Sequence, residues 1–309
     1  MRIDAYALVF PGQGSQRTGM GKDLYDNYAI AKEVYTRVDN ALGFKLSELI
    51  FEGNQEDLNL TSNAQPAIMA TSIAYFEVLK KLDIIDINNV KFMAGHSLGE
   101  YSALCAAGIL SLEDTAKLLK SRGQYMMQAC VENQGTMAAL IGADFDKAKM
   151  IADDSGCFVG NSNSPSQIVL SGNVESVEKA CELAKEQGVK RAVILPVSGA
   201  FHSPLMQSAA DKMVDIINDA KFAITDINVV SNLTANEYTN TNEIKDLLVK
   251  QITNTVKWQE SITHIANLGV SRFIEIGYGN VLSGLIKKTL PEAAVETAEE
   301  LLKAYSEAV

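Results

Sequence analysis

Apolar positions along the 309-residue chain follow two periods that alternate from end to end. Residues 5–10 form a short apolar run that stops at glycines, which predicts a first β-strand. A helical period follows, with Leu24, Tyr28, Ala31, Tyr35, Val38 and Leu42 on one stripe and Gly43 closing it. Pro66 is expected to open a helix that is apolar almost all round over residues 67–82, as suits burial in a large core. Residues 90–94 read as strand and the run behind them as helix. Ser111, with Asp114 three residues on, is a capping start for a helix reaching about Cys130.

The rhythm then tightens. Strand 137–141, helix 146–153, strands 157–160 and 167–171, helix 174–187 and strand 191–197 follow in the ferredoxin-like order. The larger pattern resumes with strand 227–230, helix 243–253, strand 272–276 and helices to the end. The expected fold class is α/β: a large domain with a mainly parallel sheet, residues 1–130 and 198–309, carrying an inserted small ferredoxin-like domain, residues 131–197. A cleft between two such units is a favoured ligand site.

Hydrophobic residues at 47% and charged residues at 21% rule out disorder as the explanation of this pattern. No run approaches the roughly 18 apolar residues that a membrane span needs, and the first apolar stretch is too short for a signal peptide. Cys105, Cys130, Cys157 and Cys181 lack paired spacing, so neither a disulfide framework nor a metal site is expected, and a cytoplasmic location is. A net charge of −11 argues against nucleic acid or an anionic membrane as partner. An acidic partner would have to use a local basic pair such as Lys190-Arg191 or Lys287-Lys288, unless those are plain solvated surface.

Gly95-His96-Ser97-Leu98-Gly99 lies between a strand and a helix, the context a GxSxG nucleophile elbow requires. The bland alternative is a glycine-rich turn. At the elbow, Ser97 would stand at a helix N-terminus, where free N–H groups favour negative charge. A serine hydroxyl also needs a base. Of three histidines, His96 is adjacent and should point away, and His264 sits in a helical run. His202 follows a strand in a loop, where open α/β sheets place their sites, and is the base by elimination. Arg122 falls among Leu112, Thr115, Leu119, Met126 and Ala129 rather than on the polar arc of its helix. It is either a structural ion pair, a guanidinium reaching outward, or a buried fork for a carboxylate brought by the substrate. Gln251 shares the spacing of Ile244, Leu247 and Leu248, so its amide should face inward. Phe10-Pro-Gly-Gln-Gly-Ser-Gln16 ends the first strand without the lysine of a P-loop, and its free backbone N–H groups suit an oxyanion.

Together the 10–16 loop, Gly95-His-Ser-Leu-Gly-Glu-Tyr-Ser-Ala-Leu104, Arg122 and Gly199-Ala-Phe-His-Ser-Pro-Leu-Met206 closely resemble the malonyl-CoA:acyl-carrier-protein transacylases, over nearly the whole chain. The resemblance implies a hydrolase-like large domain, malonyl-CoA as substrate, acyl carrier protein as partner, no resident cofactor, and a monomer. It implies that Ser97 is acylated, His202 is the base and Arg122 holds the malonyl carboxylate. The N–H groups of Gln13 and Leu98 would form the oxyanion hole. The Gln251 carbonyl would hold His202, so that no acidic triad member is needed. A discrete acyltransferase of a polyketide assembly line would look much the same, and a serine esterase would leave Arg122 without a substrate role. Two departures stand out: Thr255-Val-Lys-Trp258 where the family has a proline before Val-Arg-Trp, and Gly277-Tyr-Gly-Asn280 where it tends to Gly-Pro-Gly-Lys.

Overall fold

Alternate residues of the first strand feed two different cores, and this sets the architecture. In the computed structural model, which describes residues 5–197 and 199–308, β1 (Tyr6–Phe10) is buried along its whole length. Tyr6, Leu8 and Phe10 face one apolar cluster, and Ala7 and Val9 face another. Burial on both faces requires helices on both sides, as in parallel sheets generally. β1 pairs in parallel with β2 (Val90–Gly95) and with β9 (Arg272–Glu275). β7 (Asn228–Val230) and β10 (Ala294–Thr297) complete the order β10-β9-β1-β2-β7. Helices Thr61–Lys81 and Leu112–Asn133 contribute to the first cluster, and Trp258–Asn267 and Val281–Thr289 to the second.

The second sheet is built from β3 (Gly135–Ile141), β4 (Phe158–Ser164), β5 (Gln167–Asn173) and β6 (Arg191–Ile194), antiparallel in the order β6-β3-β5-β4. With helices Phe145–Ser155 and Val174–Glu186 on one face, it realises the expected ferredoxin-like order. Met137, Ala139 and Val169 on its other face pack into the large cluster, so the two sheets share apolar contacts. β8 (Val256–Lys257) adds to β4 in parallel, a strand contributed from beyond the 131–197 segment. Ser198, at the expected boundary, and residues 1–4 and 309 lie outside the described residues.

Several element boundaries differ from the sequence reading, four of them with a clear physical cause. The stripe from Leu24 to Leu42 is two helices, Lys22–Asn27 and Ala29–Leu42, because Tyr28 is extended at φ −126°. Pro66 does not open its helix. The helix starts at Thr61 and absorbs the proline in its second turn, forfeiting one backbone hydrogen bond near an end that carries unpaired N–H groups anyway. β6 stops at Ile194 rather than running to residue 197, since Pro196 has no N–H to continue the ladder. The C-terminal stretch expected to be helical contains β10, an edge strand whose Glu296 pairs with Arg272 of β9 at 2.8 Å. Its four residues are too few for an alternation to stand out.

Candidate active site

β2 ends in a turn so tight that Gly95 and Gly99 touch. A Cβ on Gly95 would lie 1.9 Å from the Gly99 backbone, and one on Gly99 would lie 2.2 Å from the Phe10 carbonyl. Only glycine fits at either position, which is the steric meaning of the GxSxG spacing. The turn forces Ser97 to φ +54°. Asn232, just past β7, holds the strained backbone by accepting from the Ser97 N–H at 2.7 Å and donating to the Gly95 carbonyl at 2.6 Å.

Ser97 Oγ is 2.8 Å from His202 Nε2. His202, itself at φ +58° and buried, places Nδ1 2.8 Å from the Gln251 carbonyl. A carbonyl only accepts, so Nδ1 carries the proton and Nε2 is free to take one from Ser97. Burial and the nearby Arg122 guanidinium depress the His202 pKa to about 3, against an upward pull from the Gln251 carbonyl. The imidazole is therefore a neutral base at physiological pH.

Arg122 is 1% exposed and forms no ion pair among the described residues. Nη1 donates to Gln65 Oε1 at 2.7 Å, and Nη2 to Gln251 Oε1 at 2.9 Å and Ser97 Oγ at 3.2 Å. The guanidinium lies 5.7 Å from the Tyr101 ring centroid, and its buried Nε has no partner among the described residues. A guanidinium surrounded by neutral groups has hydrogen bonds but no counter-charge in contact. The structural ion pair and the outward-reaching guanidinium are both excluded.

Ser97, Arg122 and His202 share one cavity of about 440 Å³ with Gln13. Leu98 is buried at the head of the helix Gly99–Ala106, and neither its N–H nor that of Gln13 donates to another group among the described residues. Met137, Asn161 and Gln167 of the antiparallel sheet line the opposite wall, so the cavity is the cleft between the two sheets. A second cavity of about 370 Å³ also touches His202, but its wall includes Cys157, Pro204 and Thr253 and neither Ser97 nor Arg122. It contains none of the other reactive groups.

All six residues singled out in the sequence thus gather around one elbow. His96 also lines the cavity, with Nε2 2.8 Å from Asn163 Oδ1 and its ring 5.7 Å from that of Trp258, and burial keeps it neutral. His264, read as needing no special role, does not line this cavity and pairs with Glu237 at 2.8 Å in a half-buried position. The departure at Thr255 is absorbed locally, because its hydroxyl donates to the Val159 carbonyl at 2.6 Å beside the β4–β8 pairing.

Sequence reasoning missed Gln65, Glu100 and Asn232. Gln65 is fully buried, but it follows Thr61, Ser62 and Asn63 in the polar first turn of its helix, so nothing local marks it as inward-facing. Glu100 reads as an ordinary first-turn acid, yet it is buried, with its pKa pushed up to about 7 by desolvation and pulled back by bonds from Tyr238, Gln251 and Asn232. Asn232 lies in a loop with no periodicity to judge it against.

Known proteins resemble this chain in sequence and fold. The sequence profile of the acyl transferase domain matches residues 7–305. A malonyl CoA-acyl carrier protein transacylase from Bacillus subtilis is 47% identical over 287 residues, covering 91% of this chain and 89% of its own. An acyl-carrier-protein S-malonyltransferase from Bartonella henselae superposes with a TM-score of 0.93 at 44% identity, covering 98% of this chain and 99% of its own. A malonyl-transacylase solved with its type II PKS acyl-carrier protein gives 0.92 at 35% identity, over 98% and 100% of the two chains. With the profile spanning nearly the whole chain and relatives this similar over most of their lengths, the chain belongs to the acyl transferase domain family, among its malonyl CoA-acyl carrier protein transacylases.

Proposed function

We propose that this protein moves a malonyl group from malonyl-CoA to the phosphopantetheine thiol of acyl carrier protein, through a malonyl ester on Ser97, as a supply of units for fatty-acid elongation. The observation that carries the reading is the placement of Ser97 Oγ between a neutral base, His202 Nε2 at 2.8 Å, and a buried guanidinium, Arg122 Nη2 at 3.2 Å. Ser97 Oγ attacks the thioester carbonyl while its proton passes to His202 Nε2. The N–H groups of Gln13 and Leu98 stabilise the oxyanion. The carbon–sulfur bond breaks, and CoA leaves as a thiol with the proton from His202. The carrier thiol then gives its proton to His202 and attacks the ester carbonyl, the bond from that carbon to Ser97 Oγ breaks, and His202 returns the proton to Oγ.

Arg122 accounts for the malonyl group. A charge-assisted, bidentate bond to its carboxylate would satisfy a guanidinium that has no counter-charge in contact. Residues 1–130 and 198–309 carry the nucleophile, base and fork, and 131–197, as an inserted domain, supply the facing wall. The acidic carrier docks at the mouth, where Arg17 is exposed and Lys288 reaches Gln167 on the rim at 3.2 Å. The Lys190-Arg191 pair does not line this cavity.

The test compares kcat/KM for malonyl-CoA and acetyl-CoA in wild type and Arg122→Ala. Malonyl transfer should fall by about one to two orders of magnitude, with acetyl transfer level or improved. Equal losses for both substrates would reduce Arg122 to a structural role and remove the basis for malonyl selectivity. An esterase would hydrolyse simple esters faster than it transfers acyl groups to thiols.

A further inference from the structure

The proton transfers proposed above make no use of Glu100, yet this carboxylate lies sealed beneath the elbow, 1% exposed, in the first turn of the helix Gly99–Ala106. It accepts from the Tyr238 hydroxyl, from Gln251 Nε2 at 2.5 Å and from the Asn232 N–H at 3.3 Å. A first-turn acid serving only the helix dipole has no need of burial, which is costly for a carboxylate.

The consequence lies in Gln251. Its Nε2 faces three acceptors, the Glu100 carboxylate, the Ser97 carbonyl at 3.0 Å and Asn232 Oδ1 at 3.4 Å. Its Oε1 must therefore face Arg122 Nη2, at 2.9 Å. The opposite orientation would set oxygen against carboxylate and donor against guanidinium. The backbone of the same residue holds His202 Nδ1.

We propose that Glu100 is a positioning residue for malonyl selectivity: by fixing the orientation of the Gln251 amide it keeps the Arg122 fork presented to the cavity. The inference rests on the malonyl reading above. Replacing Glu100 by glutamine keeps the shape and leaves an acceptor for Gln251 Nε2 and the Asn232 N–H, with its NH2 turned to the Tyr238 hydroxyl, but it removes the charge that strengthens those bonds. Held by a neutral acceptor instead of a charged one, the Gln251 amide turns more readily and then places a donor against Arg122.

The experiment measures the rate of acyl-Ser97 formation from malonyl-CoA and from acetyl-CoA in wild type, Glu100→Gln and Tyr238→Phe. Any loosening of His202 slows both substrates alike and cancels in their ratio, so the ratio reports Arg122. Glu100→Gln should lower the malonyl-to-acetyl ratio by about five-fold, the difference between a hydrogen bond to a charged group and one to a neutral group. Tyr238→Phe removes one bond to the carboxylate and keeps the ring, so it stays informative if Glu100→Gln fails to fold. It should lower the ratio by roughly two- to five-fold, as for the loss of an ordinary hydrogen bond. Wild-type ratios in the folded variants would overturn the inference. A wild type that forms no malonyl-Ser97 would instead overturn the functional reading on which it rests.

Discussion

Proton traffic at Ser97 is decided by a single carbonyl. Because the Gln251 oxygen accepts from His202 Nδ1 at 2.8 Å, the ring presents an unprotonated Nε2 to the hydroxyl, and no acidic residue is required to set the tautomer. Arg122 donates to the same hydroxyl oxygen, which leaves its proton pointing to the base. His202→Ala should therefore slow acylation by about 10²–10⁴-fold, the usual worth of a positioned base. The buried ring also leaves a signature in stability. With its pKa lowered from 6.5 to about 3, the folded state binds fewer protons than the unfolded chain between those values. Stability contributed by the neutral ring is thus present above the unfolded value of 6.5 and is lost as pH falls through this window. Thermal melts at pH 7 and pH 5 should show a larger drop for wild type than for His202→Ala. Equal drops would mean that the ring is not buried neutral.

At the scale of elements, the sequence disclosed what has a period or a steric rule behind it. GxSxG was legible because two glycines are the only residues that let β2 and its helix meet at the distances found. The antiparallel sheet was legible because strand and helix periods alternated in a recognisable order. Arg122 showed itself by violating the apolar stripe of the helix Leu112–Asn133. The misses have equally definite causes. Tyr28 breaks a helix without breaking the apolar stripe, and Pro66 is tolerated because the chain had already begun to coil five residues earlier. β8, two residues long, gains its identity only from pairing with β4. Glu100 and Asn232 acquire their roles through partners more than a hundred residues away, such as the 2.6 Å bond from Asn232 to the Gly95 carbonyl. No local pattern carries such information.

For the molecule as a whole, the active site is a product of two sheets that share packing. Met137, Ala139 and Val169 bury one face of the antiparallel sheet in the large core, which fixes the width of the cleft above Ser97. The whole chain carries a net charge of −11, so an acidic carrier meets net repulsion, which Arg17 and Lys288 would ease locally at the mouth. Transfer to the carrier should accordingly weaken with added salt more than acylation from malonyl-CoA does. Equal salt dependence of the two half-reactions would remove the electrostatic part of the docking proposal. The central claim, that malonyl rests on Ser97 between two thiols, is tested most directly by intact-mass spectrometry of the protein mixed with malonyl-CoA and no carrier. Wild type should gain one malonyl group, mapped to Ser97 and discharged by a carrier thiol, and Ser97→Ala should gain none. A malonyl adduct that persists in Ser97→Ala, or that maps to a cysteine, would contradict the account.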